Sequence, residues 1–156
     1  MPHVKIFSDG SSFGNPGPGG AAAILICQNK IKEIYQGYLY TTNNRMELNA
    51  CIIGLKALIF PGCNVKIITD SKYVVDAINK GWLYNWQARD WKKSDKKRVL
   101  NVDLWKELLP LLEFHNVDFQ WVRGHNGHAM NEKCDALAKS AAQGPFLWSC
   151  HNKMEF

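Results

Sequence analysis

Around Val4 and Ile6, apolar positions alternate with polar ones as far as Asp9, the period of two expected of a strand, and this strand ends on an acid. The run Gly14-Asn15-Pro16-Gly17-Pro18-Gly19-Gly20 then breaks regular structure. Beyond it, Ala21 to Cys27 reads as a second strand and Ile31 to Tyr40 as a third, with a short polar turn between them. The three suggest an antiparallel meander. The period then changes. With Asn43 or Asn44 as cap, Met46, Leu48, Cys51, Ile52, Leu55 and Leu58 recur at helical spacing until Phe60-Pro61-Gly62 stops the run.

Val65 to Thr69 is a short apolar strand ending at Asp70. Helices are expected over about Ser71–Asn79 and Trp82–Ala88, and from Asn101 as cap to about Phe114, where Pro110 should kink the helix or end it early. Val117 to Val122 supplies the last strand and Asn131 to Gln143 the last helix. This order predicts an α/β fold: a mixed five-stranded sheet, antiparallel meander plus parallel strands, with helices on both faces. No repeat or linker divides the chain, so residues 1–156 read as one domain, with a core of about 4–142 and a tail, 144–156, to which the sequence assigns no role.

Composition excludes several classes. Hydrophobic residues at 46% and charged residues at 21% are ordinary for a globular protein. No apolar run reaches the ~18 residues of a membrane span. The opening Met-Pro-His-Val-Lys-Ile lacks the apolar stretch of a signal peptide, which leaves a cytoplasmic location as the expectation. Five cysteines, an odd number without Cys-x-x-Cys spacing, point to reduced thiols rather than a disulfide framework or zinc site. Cys134 has no activating base evident beside it. Nothing demands more than a monomer.

The net charge of +5 is concentrated. Arg89 to Arg98, RDWKKSDKKR, holds six basic and two acidic side chains, a net +4. Such a block is commonly a solvated loop, but Trp82, Tyr84, Trp86 and Trp91 flank or interrupt it. Cations for phosphates and flat rings for sugars or bases form the footprint of a nucleic-acid binder.

Four carboxylates stand at element ends. If the strands ending at Asp9 and Asp70 are parallel neighbours, both acids emerge at the carboxyl edge where open α/β sheets place ligands. Glu47 falls in the first turn of the first long helix and Asp135 in the first half of the last. Singly, each has an ordinary explanation as a turn former or a helix-dipole residue. Together they propose an anion cluster that repels itself unless cations neutralise it. Oxygen ligands without His or Cys suit Mg²⁺ or Mn²⁺, and two such ions can serve phosphodiester cleavage.

The strings SDGSSFGNPGPGG, TTNNRMELNA, ITDSKYV, NVDLW and WVRGHNGHAMNEKCDALA, in this order from about Val4 to Ala142, resemble bacterial ribonuclease HI. The resemblance implies the ribonuclease H-like fold and an endonuclease that cuts the RNA strand of RNA–DNA hybrids, leaving 5′-phosphate and 3′-hydroxyl ends. It implies Asp9, Glu47, Asp70 and Asp135 as catalytic ligands of two Mg²⁺ ions, with Mn²⁺ a substitute. It also implies that His125, otherwise a turn residue among glycines, assists in proton transfer or product release; His128 is read as the start of the last helix. Asn15, Thr42, Asn43 and Asn44 offer neutral hydrogen-bonding groups suited to phosphate, 2′-hydroxyl and base edges. By resemblance Thr42 and Asn101 hold a DNA-strand phosphate, and Trp82 and Trp86 meet DNA sugars, whereas Trp105 and Trp121 are expected in the core. Lys92, Lys93, Lys96 and Lys97 form the basic handle.

The chain departs from the family pattern in places. Gln87 and Ala88 stand where many relatives carry lysines. Ser12 and Lys72, both expected near the RNA strand, replace Cys and Gln, and Ala129 replaces a proline. An inert hybrid-binding module would be marked by loss of an acid, and all four are present. Transposases and integrases of the same fold lack the WKKSDKKR and TNNRMEL strings.

Overall fold

In the computed structural model, which describes residues 2–124 and 128–147, the chain runs β1 (His3–Ser12), β2 (Gly17–Cys27), β3 (Lys30–Thr41), α1 (Asn43–Lys56), β4 (Asn64–Thr69), α2 (Lys72–Asn79), α3 (Trp82–Ala88), α4 (Val102–Phe114), β5 (Asn116–Trp121), α5 (Ala129–Ala141) and β6 (Phe146–Leu147). The sheet order is β5-β4-β1-β2-β3-β6. β1, β2 and β3 form the expected antiparallel meander, and β4 joins β1 in parallel, as β5 joins β4. Among the described residues the sheet therefore has six strands rather than five. The extra one comes from the tail: Phe146 and Leu147 pair in parallel with Gly37 and Tyr38 on the outer edge of β3.

β2 shows why helices cover both faces. Ala21 packs with Met46 and Ala50 of α1, while its neighbours Ala22 and Ile24 pack with Cys134 and Ala138 of α5. Strand side chains alternate between faces, so this strand reads as a continuous apolar run because each face meets a helix. The main core lies on the α1 side, where Val4, Ile6 and Ile67 meet Leu48, Ile52, Leu55, Trp105 and Leu108.

Several boundaries differ from the sequence reading. The N-cap of α1 is Thr42, whose hydroxyl accepts from the Arg45 amide, rather than Asn43 or Asn44. The helix stops at Lys56, so Leu58 lies outside it. Because α1 starts at Asn43, Glu47 sits in the second turn rather than the first and has no capping role. Pro110 does not end α4, which continues to Phe114. It is exposed, on a side where water can serve the carbonyl that loses its partner. Trp105 is fully buried as expected, whereas Trp121 is 38% exposed and is no core residue.

Candidate active site

Asp9 and Asp70 reach one place because β1 and β4 run side by side in parallel, in register from His3–Asn64 to Phe7–Ile68. Asp70 directly follows the last residue of β4, whereas β1 does not end on Asp9 but runs on to Ser12, so Asp9 lies within the strand, opposite Ala22 and just past the end of the pairing with β4. Glu47 arrives from above. A Cβ on Gly10 would lie 2.2 Å from the Met46 carbonyl carbon and 2.3 Å from the Glu47 nitrogen, so α1 crosses β1 in backbone contact, where only glycine fits. The Gly10 amide donates to Asp9 Oδ1 at 2.9 Å and also to Glu47 Oε1.

Each of Asp9, Glu47 and Asp70 offers a carboxylate oxygen, and these lie within 4.8 Å of one another. Asp135, from the second turn of α5, lines the same cleft with Asp9, Asp70, Gly124, His128, Asn131 and Glu132. Its Oδ2 accepts from Lys139 Nζ at 3.0 Å, one helical turn on. The cleft wall is close: a Cβ on Gly124 would stand 2.6 Å from Asp70 Oδ2. Asp70 is framed by a turn in which the Ser71 amide donates to Thr69 Oγ1 and the Trp121 indole donates to the Asp70 carbonyl. The side-chain oxygen Oδ1 of Asn131 is buried without a hydrogen-bond partner among the described residues.

Crowding acids raises their affinity for protons. Burial, with the Asp70 and Asp135 carboxylates adding to it and a hydrogen bond with Glu47 opposing it, pushes the Asp9 carboxyl up to about 7. Burial, then the Asp9 charge, holds Glu47 well above the usual carboxylate range. The hydrogen bond to Asp135 raises Lys139. Burial also raises Cys134, whose thiol donates to the Phe7 and Ala22 carbonyls. A buried thiol engaged in this way is structural rather than nucleophilic.

The neutral residues gather at the start of α1. Asn15 Oδ1 accepts from the Asn43 amide at 2.9 Å, joining the glycine-rich loop to the helix. Thr42 caps that helix, Asn43 and Asn44 are exposed, and Ser12 lies at the end of β1 opposite Gly19. Lys72 Nζ lies 4.9 Å from the centroid of the Trp121 ring, beside Asp70. Trp82 is 41% exposed, and Trp86 is half-buried with an edge-on contact to Trp105.

The basic segment folds back on itself through a Lys92–Arg98 bridge. Its lysines, Lys92, Lys93, Lys96 and Lys97, are exposed, and Lys92, Lys96 and Arg98 line a groove of about 340 Å³ with Trp91 and Lys106. His125 lies outside the described residues.

A network not anticipated from the sequence connects these parts. Arg45, 1% exposed, makes a two-pronged ion pair with Asp103 at 3.0 and 2.7 Å and donates to Asn101 Oδ1 at 3.3 Å. Asn101 occupies the N-cap position of α4 at φ 61° with no side-chain cap bond. Its amide nitrogen donates to the Tyr73 hydroxyl at 3.0 Å, which also accepts from the Trp105 indole at 3.1 Å. One signal for it was legible: an arginine two residues before a buried acid needs a partner when the helix around it is apolar.

Comparison with known proteins follows the same outline. The RNase H family model matches residues 1–143. The chain is 54% identical over 142 residues to a ribonuclease H of Proteus mirabilis, covering 91% of this chain and 88% of that one. It is 50% identical over 147 residues to a ribonuclease H of Desulforamulus reducens, covering 94% and 92%. Among solved structures it is similar to LC9-RNase H1, a type 1 RNase H with the type 2 active-site motif, at TM-score 0.82 and 33% identity over 92% of this chain and 73% of that one. It is also similar to the N-terminal RNase H domain of a Mycobacterium tuberculosis protein, at TM-score 0.73 and 26% identity over 92% and 95%.

Proposed function

Because the chain belongs to the RNase H family, we propose that it hydrolyses the RNA strand of RNA–DNA hybrids at the cleft of Asp9, Glu47, Asp70 and Asp135, leaving 5′-phosphate and 3′-hydroxyl ends. The observation that carries this reading is the convergence of three carboxylate oxygens within 4.8 Å. Such a cluster is costly as bare charge. The donor set is oxygen alone and therefore suits hard divalent cations. Asn131 Oδ1, without a partner among the described residues, adds an acceptor on the same cleft.

In this reading the acids hold two Mg²⁺ ions, with Mn²⁺ an alternative. Bound there, such ions neutralise the carboxylates, polarise the phosphate and favour ionisation of water. Asp9 and Glu47 are held ready by the shared Gly10 amide, and Asp70 by its Thr69–Ser71 turn. Asp135, ion-paired with Lys139 here, would have to give up that partner to hold a cation. His125 assists with a proton, an assignment resting on the family resemblance alone.

The substrate lies across the α1 start and the basic segment. Asn15, Thr42, Asn43 and Asn44 provide the neutral contacts that distinguish a 2′-hydroxyl. Thr42 and Asn101 hold a DNA phosphate, and Trp82 and Trp86 meet DNA sugars. Ser12 and Lys72 face the RNA strand, and Lys92, Lys93, Lys96 and Lys97 supply long-range attraction. No helix among the described residues is long and apolar enough to cross a membrane. A cytoplasmic, monomeric enzyme built as a single domain completes the proposal.

One gel tests it: labelled hybrid, duplex RNA and duplex DNA, each with Mg²⁺ or EDTA. Cleavage of the hybrid's RNA with Mg²⁺ alone is the expected result; cutting of duplex DNA, or no cutting of any substrate, would overturn it.

A further inference from the structure

Asn101 holds the position from which an asparagine ordinarily caps a helix, yet its side chain makes no cap bond. It is turned inward, 4% exposed, and gripped at both ends of its amide. The oxygen accepts from Arg45 Nη1 at 3.3 Å and the nitrogen donates to the Tyr73 hydroxyl at 3.0 Å. A guanidinium carries only donors, so whichever amide atom faces it must be the oxygen. The guanidinium has little freedom to turn away. Arg45 is 1% exposed, and both prongs engage the Asp103 carboxylate, at 3.0 and 2.7 Å. At the far end, the Tyr73 hydroxyl accepts a second donor, the Trp105 indole at 3.1 Å.

We propose that Arg45, fixed by Asp103, is a positioning residue for the Asn101 amide, setting it so that the side chain presents an N–H rather than a carbonyl to a substrate phosphate. The proposal rests on the reading above in which Asn101 meets a DNA-strand phosphate. An amide nitrogen has two hydrogens. Tyr73 engages one, and the other is the only donor the side chain has left for a ligand. The reversed amide would set N–H against guanidinium and turn a carbonyl dipole toward an anion, opposing binding twice. The fork geometry is essential. A lysine at position 45 would keep the charge but could not hold the Asp103 carboxylate by two bonds and Asn101 at once.

The test is a double-mutant cycle on hybrid cleavage with Arg45→Lys, Asn101→Ala and the pair, each with its Tm. Asn101→Ala should raise KM, and Arg45→Lys should raise it roughly threefold to tenfold with kcat within about twofold. In the Asn101→Ala background, Arg45→Lys should add no further change in KM. A structural role alone would lower Tm and add its effect in either background, which would overturn the proposal. An unchanged KM for Asn101→Ala in an active enzyme would instead overturn the phosphate-contact reading beneath it. Should Arg45→Lys fail to fold, Asp103→Asn takes its place in the cycle with the same expected pattern. NMR of the unaltered protein reads the orientation directly: contacts between the Asn101 amide protons and the Tyr73 ring are expected, and contacts to the Arg45 guanidinium protons instead would overturn it.

Discussion

The amide of Gly10 donates both to Asp9 Oδ1 on its own strand and to Glu47 Oε1 on the helix above. That shared donor sets two acids face to face, and the missing side chain of Gly10 is what lets α1 come down to the strand. Gly10→Ala places a methyl 2.2 Å from the Met46 carbonyl carbon. The helix must move to admit it, at roughly 1–3 kcal/mol for an overpacked site. Thermal denaturation should show the loss of stability. Mg²⁺ titration of activity should show a higher half-saturating concentration, because Glu47 moves with the helix.

Cation-free protein should be more stable at pH 5 than at pH 8. Asp9, at about 7 when folded against an ordinary 3.8, keeps its proton at pH values where the unfolded chain has lost it, and Glu47 shifts in the same direction. The folded state thus holds more protons between those limits, and stability falls as pH rises through the window. The expected difference is on the order of 5 °C in Tm or more. Mg²⁺ should reduce it, and Asp9→Asn should flatten it. A cation-free Tm that climbs from pH 5 to pH 8 would remove the strained-cluster account.

Asp70→Asn should abolish turnover while leaving a folded protein that still binds hybrid. Removing one of three clustered charges relieves repulsion, so the cation-free variant should melt at or above the parent Tm. Circular dichroism and a binding isotherm check the fold and the hybrid contact. Near-parental activity would return Asp70 to the role of a turn residue.

The basic segment makes a different kind of prediction. Changing Lys92, Lys93, Lys96 and Lys97 together to Gln should raise KM with kcat nearly unchanged, since all four are exposed and none lines the acid cleft. Removing one lysine–phosphate pair reduces the slope of log K against log salt by roughly 0.7–0.9, and a total of about two to three units is expected because the four do not all touch phosphate at once. A collapse of folding with the slope unmoved would make the segment a structural element. With Gln87 and Ala88 in place of further lysines, hybrid binding should also be weaker, and its salt slope shallower, than in a relative that has them at matched ionic strength.

Much of the site was readable because it depends on short-range pattern. The strand periods leading to Asp9 and Asp70 brought the two acids side by side, and β1 and β4 do pair in parallel, although β1 runs on past Asp9 to Ser12 because β2 keeps pairing with it there. Glu47 was found by residue type and helix, though its turn was missed because the cap is Thr42 rather than an asparagine. What escaped is what distance in sequence conceals. Arg45 and Asp103 are 58 positions apart, and no periodicity announces their pairing. A two-residue strand such as β6 lies below any repeat that could mark it. Trp121 was misjudged because an aromatic in a strand says nothing of which face is left uncovered; its indole instead holds the Asp70 carbonyl.

The central claim is that carboxylates holding cations direct hydrolysis of the RNA strand. End analysis of the products of hybrid cleavage tests it most directly, with the RNA labelled at either terminus and the reaction run in Mg²⁺ and in EDTA. The account predicts 5′-phosphate and 3′-hydroxyl ends in Mg²⁺ and intact RNA in EDTA. Cleavage that persists in EDTA, or 2′,3′-cyclic phosphate ends formed by attack of the RNA's own 2′-hydroxyl, would contradict it.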